Sequence, residues 1–327
     1  MNKSKVIYCT YFNRNYLLKG LAMHASLIAH EPSAKLWILC MDDYTKDIID
    51  RMRLAGVTTI TLAEFEDKEL KIAKGNRSLV EYYWTCTPSL PRYILKKNPQ
   101  IDLVTYLDAD LYFYSSPAPI FRELGNNSLY IVEHRYPPAE TYRDNISGRF
   151  NVAVNVFRND TIGKACLNYW RAKCNEWCYL KEEPGRFGDQ LYLNEWPAKF
   201  KKLVISQNLG VDAAPWNIAK YSVTKKNDRV FIDQHELVVY HFHQLEYYNP
   251  ANYEFAHGYL FTPAVKQYIY QPYIQAMNQA YALTKQYDPT YQLVPPPKPI
   301  SAKIKAMISK YFGSTYWYLR GVFNEKI

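Results

Sequence analysis

The chain has 327 residues, 48% of them hydrophobic and 22% charged, a globular composition that excludes disorder and collagen-like repeats and suffices for a full core. Its formal net charge of +9 points to an anionic partner, whether nucleotide phosphate, acidic lipid or nucleic acid. No apolar run approaches the roughly 20 residues of a membrane span, and residues 1–10 lack the apolar region of a signal peptide, so the expected compartment is the cytoplasm. The six cysteines show no C-x-x-C spacing and read as reduced thiols used in packing rather than as a metal knuckle. The 31 tyrosines, against only 12 glycines, suit core edges and wet binding surfaces, because each pairs an apolar ring with a hydroxyl.

In chain order, residues 5–11 read as a strand, 15–30 as a helix with apolar residues at helical period, and 36–41 as a buried strand. A second helix is expected over 44–54 and a third strand over 57–62. Residues 77–97 are helical in pattern but contain Pro88 and Pro91, so a break is expected near Thr87. This alternation is that of a parallel sheet with crossover helices. The fourth strand, 103–107, is rich in β-formers and stops at Asp108-Ala109-Asp110. Further strands are expected over 129–132 and 152–157, separated by a mobile loop at 133–149 that holds Pro137, Pro138 and Gly148. Helices follow over 161–178 and 188–195, then a strand over 237–240 running into His241-Phe242-His243, and a helix over 266–285. Residues 295–299, Pro-Pro-Pro-Lys-Pro, form a stiff linker to the last segment.

Asp108-x-Asp110 is the strongest chemical signal. Two carboxylates one residue apart, just past a buried strand, can both reach a hard divalent cation such as Mg²⁺ or Mn²⁺ and leave its other positions to phosphate oxygens. The apolar strand before them holds the acids at the sheet's ligand-binding edge. The spacing alone also fits a solvated strand end.

Tyr106-Leu107-Asp108-Ala109-Asp110 resembles the signature of GT-A glycosyltransferases, in particular the retaining family that contains glycogenin and bacterial lipopolysaccharide galactosyl- and glucosyltransferases. Three further blocks resemble that family in the same order: Phe150-Asn151-Val152-Ala153-Val154-Asn155, Gly188-Asp189-Gln190-Leu191-Tyr192-Leu193-Asn194, and Val239-Tyr240-His241-Phe242. Together they span residues 5–245 and are specific as a set. The resemblance implies an α/β fold of GT-A type, a mostly parallel Rossmann-like sheet flanked by helices, with a C-terminal helical extension. It implies that Asp108, Asp110 and His241 hold the metal, and that Asp108, Asn151 and Asn155 contact a nucleotide-sugar donor, expected to be a UDP-sugar. It also implies that Asp189 and Gln190 face the reacting sugar carbon in a transfer with retention. The alternative readings are a buried amide for Gln190 and a helix cap for Asp189.

The chain departs from the family pattern in two places. Where the family has a nucleotide-binding aspartate after the first strand, this chain has Cys9-Thr10-Tyr11-Phe12, so position offers Tyr11 for stacking on a base and Thr10 for bonding to it. The glycine and lysine that follow the family's histidine are replaced by His243-Gln244-Leu245-Glu246-Tyr247. Another cation must then face the diphosphate, and Arg77 is the expected one. His241 and His243 alternate along a strand, so only one of them naturally shares a site with the acids; the resemblance selects His241. Trp216 and Asn217, with the aromatics at 247, 248, 253, 255 and 259, offer either an acceptor platform for sugar or core packing.

In residues 298–327, Lys298, Lys303, Lys305, Lys310, Arg320 and Lys326 face Glu325 alone, a net +5. Apolar residues on one helical face and trailing aromatics suit an anionic membrane surface, with a neighbouring subunit as the alternative. The expected division is a catalytic domain over 1–260, a helical extension over 261–294 and a linker with basic tail over 295–327. The expected function is metal-dependent sugar transfer to a surface glycan or glycolipid, at the inner membrane face. A D-x-D phosphatase is disfavoured by Tyr112, two residues after Asp110. A non-catalytic lipid- or nucleic-acid-binding protein is the alternative outside enzymes, and no nucleic-acid module is evident, so no nucleic acid is expected as a partner.

Overall fold

The computed structural model describes residues 4–293; the basic tail and its proline-rich linker lie outside them. The strands in chain order are β1 (Val6–Phe12), β2 (Leu36–Cys40), β3 (Val57–Thr61), β4 (Leu103–Leu107), β5 (Leu111–Phe113), β6 (Leu129–Glu133), β7 (Phe150–Arg158), β8 (Leu203–Ile205) and β9 (Val211–Ala213). The later ones are β10 (Val223–Lys226), β11 (Arg229–Ile232), β12 (His235–Glu236), β13 (Val239–His241), β14 (Glu246–Asn249) and β15 (Asn252–Glu254). A seven-stranded sheet runs in the order β3-β2-β1-β4-β7-β6-β8. Its pairs are parallel except for β7, which runs against both of its neighbours.

Both faces of this sheet are covered, which is why β1, β2 and β4 read as continuous apolar runs. Tyr8, Phe12, Leu36 and Leu107 pack toward the helices Leu17–His30 and Gln271–Tyr287, whereas Cys9, Leu39, Val104 and Tyr106 pack toward Leu79–Cys86, Ser89–Lys97 and Thr161–Glu176. The alternation of faces along each strand thus sorts one sheet's residues into two cores.

The expected break at Thr87 is present: the helix Leu79–Cys86 ends there and Ser89–Lys97 begins after Pro88. Ser78 starts the first of these with a capping box, its hydroxyl accepting from Glu81 N while the Glu81 carboxylate accepts from Ser78 N. Two expectations need correction. Residues 133–149 are not a bare loop but carry a helical turn, Pro138–Asn145, whose end is tied down by bonds from Ile146, Ser147 and Gly148 N to Arg143 O. The helix expected over 188–195 starts only at Leu191, which leaves Gly188, Asp189 and Gln190 outside it.

A second, three-stranded sheet in the order β5-β13-β9 was not visible in the sequence and positions the site. β13 pairs antiparallel with β5, setting His241 opposite Leu111, and parallel with β9. The turn Asp108–Asp110 therefore joins the large sheet to the small one. All six cysteines are buried and unpaired. Among the described residues no helix is long and apolar enough to cross a membrane.

Candidate functional site

Asp108 and Asp110 are fixed by the main chain on both sides of their turn. Asp108 N donates to Ala153 O of β7 at 3.0 Å, and Phe242 N donates to Asp110 O at 2.9 Å. The second bond delivers His241, one residue earlier, to the carboxylates: its Nε2 lies 3.2 Å from Asp110 Oδ1 and 3.9 Å from Asp108 Oδ2. One ligand atom from each of the three residues can be chosen so that all lie within 4.8 Å of one another. Two carboxylate oxygens and one imidazole nitrogen are a donor set suited to a hard or borderline divalent ion, so the residues present fit the metal that the resemblance implies.

Electrostatics support that fit. Burial pushes the Asp108 carboxyl up to about 6, with the Asp110 charge adding to the effect and His241 opposing it. Burial acts the same way on Asp110, but His241 and then Lys19 outweigh it and hold this carboxyl below the usual range. Burial would lower His241, yet Asp110 and Asp212 raise it well above an ordinary histidine. The raised histidine and the lowered Asp110 are the mark of one ring packed among three acids, an arrangement whose negative charge a divalent ion would balance.

Behind His241 stands a group that the sequence reading missed. Asp212, fully buried on β9 in left-handed backbone (φ +58°), has its Oδ1 3.4 Å from His241 Nδ1. Among the described residues neither of its carboxylate oxygens has a hydrogen-bond partner. The carboxylate is within ion-pair distance of Nδ1 and would draw the ring proton there, leaving Nε2 for a metal ion. Trp216 packs edge-on against both His241 (5.2 Å) and His243 (5.4 Å), and its Nε1 donates to His134 O at 2.8 Å. Trp216 is thus a buried wall of the metal site rather than an open platform.

The remaining expected residues separate into those near the triad and those away from it. Asn151 Oδ1 accepts from Ala153 N at 2.7 Å, the residue whose carbonyl holds Asp108, and its Nδ2 lies 3.0 Å from His134 Nε2. Tyr106 OH donates to Asp108 Oδ1 at 2.8 Å, and Tyr11 packs against the Tyr106 ring and meets Thr87 Oγ1 at 3.0 Å. Asp189 is buried close to this group. Burial, opposed by a bond to Thr87 and reinforced by the Asp108 charge, pushes its carboxyl up to about 7. Its side chain caps no helix. Gln190 Nε2 donates to Ser147 O at 2.6 Å, so the turn over 138–145 and its exit hold this amide in place.

Among the described residues, three expected residues make no hydrogen bond or ion pair with the triad. Thr10 is buried and, one residue before Tyr11 on β1, faces the opposite side of the sheet, its Oγ1 without a partner among the described residues. Asn155 is fully buried opposite Tyr106 inside the sheet and bonds Val152 O at 2.6 Å. Arg77 caps the C-terminus of Thr161–Glu176, donating to Cys174 O at 3.1 Å and Asn175 O at 3.0 Å, and stacks on Tyr179. Among the described residues no contact joins it to the carboxylates of the triad. Lys19, which the sequence reading passed over, has its Nζ 3.8 Å from Asp110 Oδ2. The signal for it was present: it is the one charge within the apolar run Leu17-Leu18-Lys19-Gly20-Leu21-Ala22-Met23.

No family model matches the chain. YfnD of Bacillus subtilis (strain 168), itself uncharacterised, is 32% identical over 270 residues, 82% of this chain and 87% of YfnD. YfnF of the same organism, also uncharacterised, is 29% identical over 242 residues, 72% of this chain and 80% of YfnF. Among solved structures, the galactosyltransferase LgtC in complex with donor and acceptor sugar analogues aligns with a TM-score of 0.55 at 15% identity, over 83% of this chain and 95% of LgtC. An active-site mutant of LgtC aligns at 0.50 and 14% identity, over 88% of this chain and 97% of that one. The sheet order, the two acids at the β4 edge and these likenesses agree: the chain belongs to the family of YfnD, a divergent branch of the GT-A glycosyltransferase fold.

Proposed function

We propose that the chain transfers a sugar from a nucleoside-diphosphate sugar, a UDP-sugar by preference, to a hydroxyl of a surface glycan or glycolipid, with retention at the anomeric carbon. The single observation that carries this reading is the convergence of Asp108, Asp110 and His241 within 4.8 Å at the edge of β4, on a fold shared with LgtC, a galactosyltransferase solved with donor and acceptor sugar analogues. In the reaction the bond from the anomeric carbon to the diphosphate breaks and one to the acceptor oxygen forms. The acceptor's proton leaves with the departing phosphate. A bound Mn²⁺ or Mg²⁺ supplies Lewis-acid stabilisation of the charge that develops on that phosphate.

The chain's own residues supply position. Asp108, Asp110 and His241 would hold the ion, and Asp212 would orient His241. Tyr11, between Tyr106 and Tyr83, is the group retained for the nucleotide; Thr10 on the other face is not. Asn151 is placed for the donor sugar. Gln190, whose Nε2 is held by Ser147 O and whose Oε1 has no partner among the described residues, faces the reacting carbon. That a glycosyltransferase of this fold has been solved as an active-site mutant in which a glutamine becomes glutamate supports the assignment. Asp189, pushed up to about 7, is a neutral acid below that pH and able to donate a hydrogen bond to a sugar hydroxyl. Residues 298–327, outside the described structure, are the proposed contact with an anionic membrane surface at the inner face of the plasma membrane.

The test is release of nucleoside diphosphate from a panel of nucleotide sugars, with and without Mn²⁺, by the full chain and by Asp110→Ala. The expected result is turnover of one donor that requires the ion and is lost in the variant. Turnover of no donor, or equal turnover by Asp110→Ala, overturns the reading.

A further inference from the structure

Lys19 lies in the first turn of the helix Leu17–His30 and is 8% exposed. Its ammonium group has three donors, yet it donates no hydrogen bond among the described residues. Its polar neighbour is Asp110 Oδ2 at 3.8 Å, beyond hydrogen-bond reach, and the Tyr16 ring lies 4.3 Å from Nζ. An ammonium packed beside the acids, with one long ion pair and no acceptor within hydrogen-bond reach, keeps its donors for a ligand that brings acceptors.

The other cations around the site have carbonyl or carboxylate partners already. Arg77 caps a helix, Arg149 pairs with Glu133, and Arg135 donates to Asn208 O and Asp212 O at 3.0 Å each. Two carboxylates and a divalent ion neutralise one another, which leaves an anionic diphosphate facing no net positive charge from the triad. Lys19 is the side chain placed to provide it.

We propose that Lys19 is the cation that receives the donor's diphosphate, resting against Asp110 in the free protein and donating to phosphate oxygens in the complex. This rests on the donor-site reading above. The lysine that follows the metal-binding histidine in the resembling family is absent here, and its charge is supplied instead from the first helix. In the free protein the same ammonium competes with a metal ion for Asp110, so removing it has opposite effects on the two ligands.

The experiment is calorimetric titration of the full chain and of Lys19→Met with MnCl₂ alone, then with UDP, GDP, ADP, CDP and dTDP at saturating Mn²⁺. The expected result is a nucleoside-diphosphate affinity weakened at least about tenfold in Lys19→Met, as for truncation of one member of a buried charge pair, while Mn²⁺ alone binds as tightly as before or more tightly. Equal diphosphate binding by the two proteins overturns the proposal, and so does parallel loss of Mn²⁺ and diphosphate, which marks a structural role. If Lys19→Met does not fold, Lys19→Gln is judged by the same criteria. Failure of the unsubstituted chain to bind any of the five diphosphates overturns the donor-site reading itself, a result distinct from equal binding by the variant.

Discussion

His241 shows how one ligand is prepared by a neighbour that never touches the ion. With Asp212 Oδ1 3.4 Å from Nδ1, the ring's second nitrogen is turned to Asp108 and Asp110. Asp212→Asn is expected to lower Mn²⁺ affinity by roughly 10–100-fold while the fold persists; unchanged titration would remove Asp212 from the site. Asp189 gives a prediction about pH. Its folded carboxyl sits at about 7 against an ordinary 3.8, so the folded state holds the proton more tightly. The resulting stability is complete below pH 3.8 and is lost as pH rises through 7. Between those limits the wild type should lose on the order of a few kcal/mol relative to Asp189→Asn, read from denaturant midpoints at each pH. Parallel pH profiles for the two proteins would contradict the buried, neutral acid.

The first helix and β1 meet at a contact that leaves no room for a side chain. A Cβ at Gly20 would lie 2.3 Å from the Phe12 ring. Gly20→Ala must displace an aromatic ring in the core and is expected to cost about 1–3 kcal/mol, measured as a shift in urea midpoint at unchanged m-value. Wild-type stability in that variant would mean that the ring moves freely.

Such elements differ in how far sequence discloses them. The strands β1, β2 and β4 were legible because burial on both faces gives nearly unbroken apolar runs, β3 because its residues are all β-branched, and the helix break at Thr87 because Pro88 imposes it. The strands β5, β9 and β13 were missed or blurred because each has only three residues, too few to establish a period. Their pairing joins segments far apart in the chain, and so the register that brings His241 beside Leu111 is not written locally. The acids and the histidine were readable as motif residues. Asp212 and Lys19 were not, because what marks them is a missing partner in three dimensions. Arg77 misled because a cation at a helix start says nothing about which carbonyls it will cap.

Over the whole molecule, the charge divides unevenly: of the net +9, residues 298–327 hold +5, in a segment outside the described structure. If that segment meets acidic lipid, the chain lacking it should fail to co-sediment with phosphatidylserine-containing vesicles at low salt, while the full chain does so and is released by added salt. Equal sedimentation of both would reject the membrane role and favour a subunit contact. The tyrosines also become clearer at this scale. Tyr8, Tyr82, Tyr106, Tyr130, Tyr240, Tyr270 and Tyr273 are fully or almost fully buried, so part of the aromatic excess fills core, and Tyr247 and Tyr248, once candidates for an acceptor platform, are buried with them, whereas Tyr253 is exposed.

The turn from Asp108 to Asp110 crosses from one sheet to another, with Asp108 hung from β7 and Asp110 bonded to the strand that carries His241. The chelating atoms are therefore divided between two bodies, and their spacing records how those bodies are seated. A bound ion would act as a rivet across the seam. Damage at the far edge of the small sheet should then appear as lost ion affinity before it appears as lost fold. Gly210 is the place to look, because its carbonyl takes the N–H groups of Val238 and Val239 and a Cβ there would lie 1.9 Å from Glu236 O.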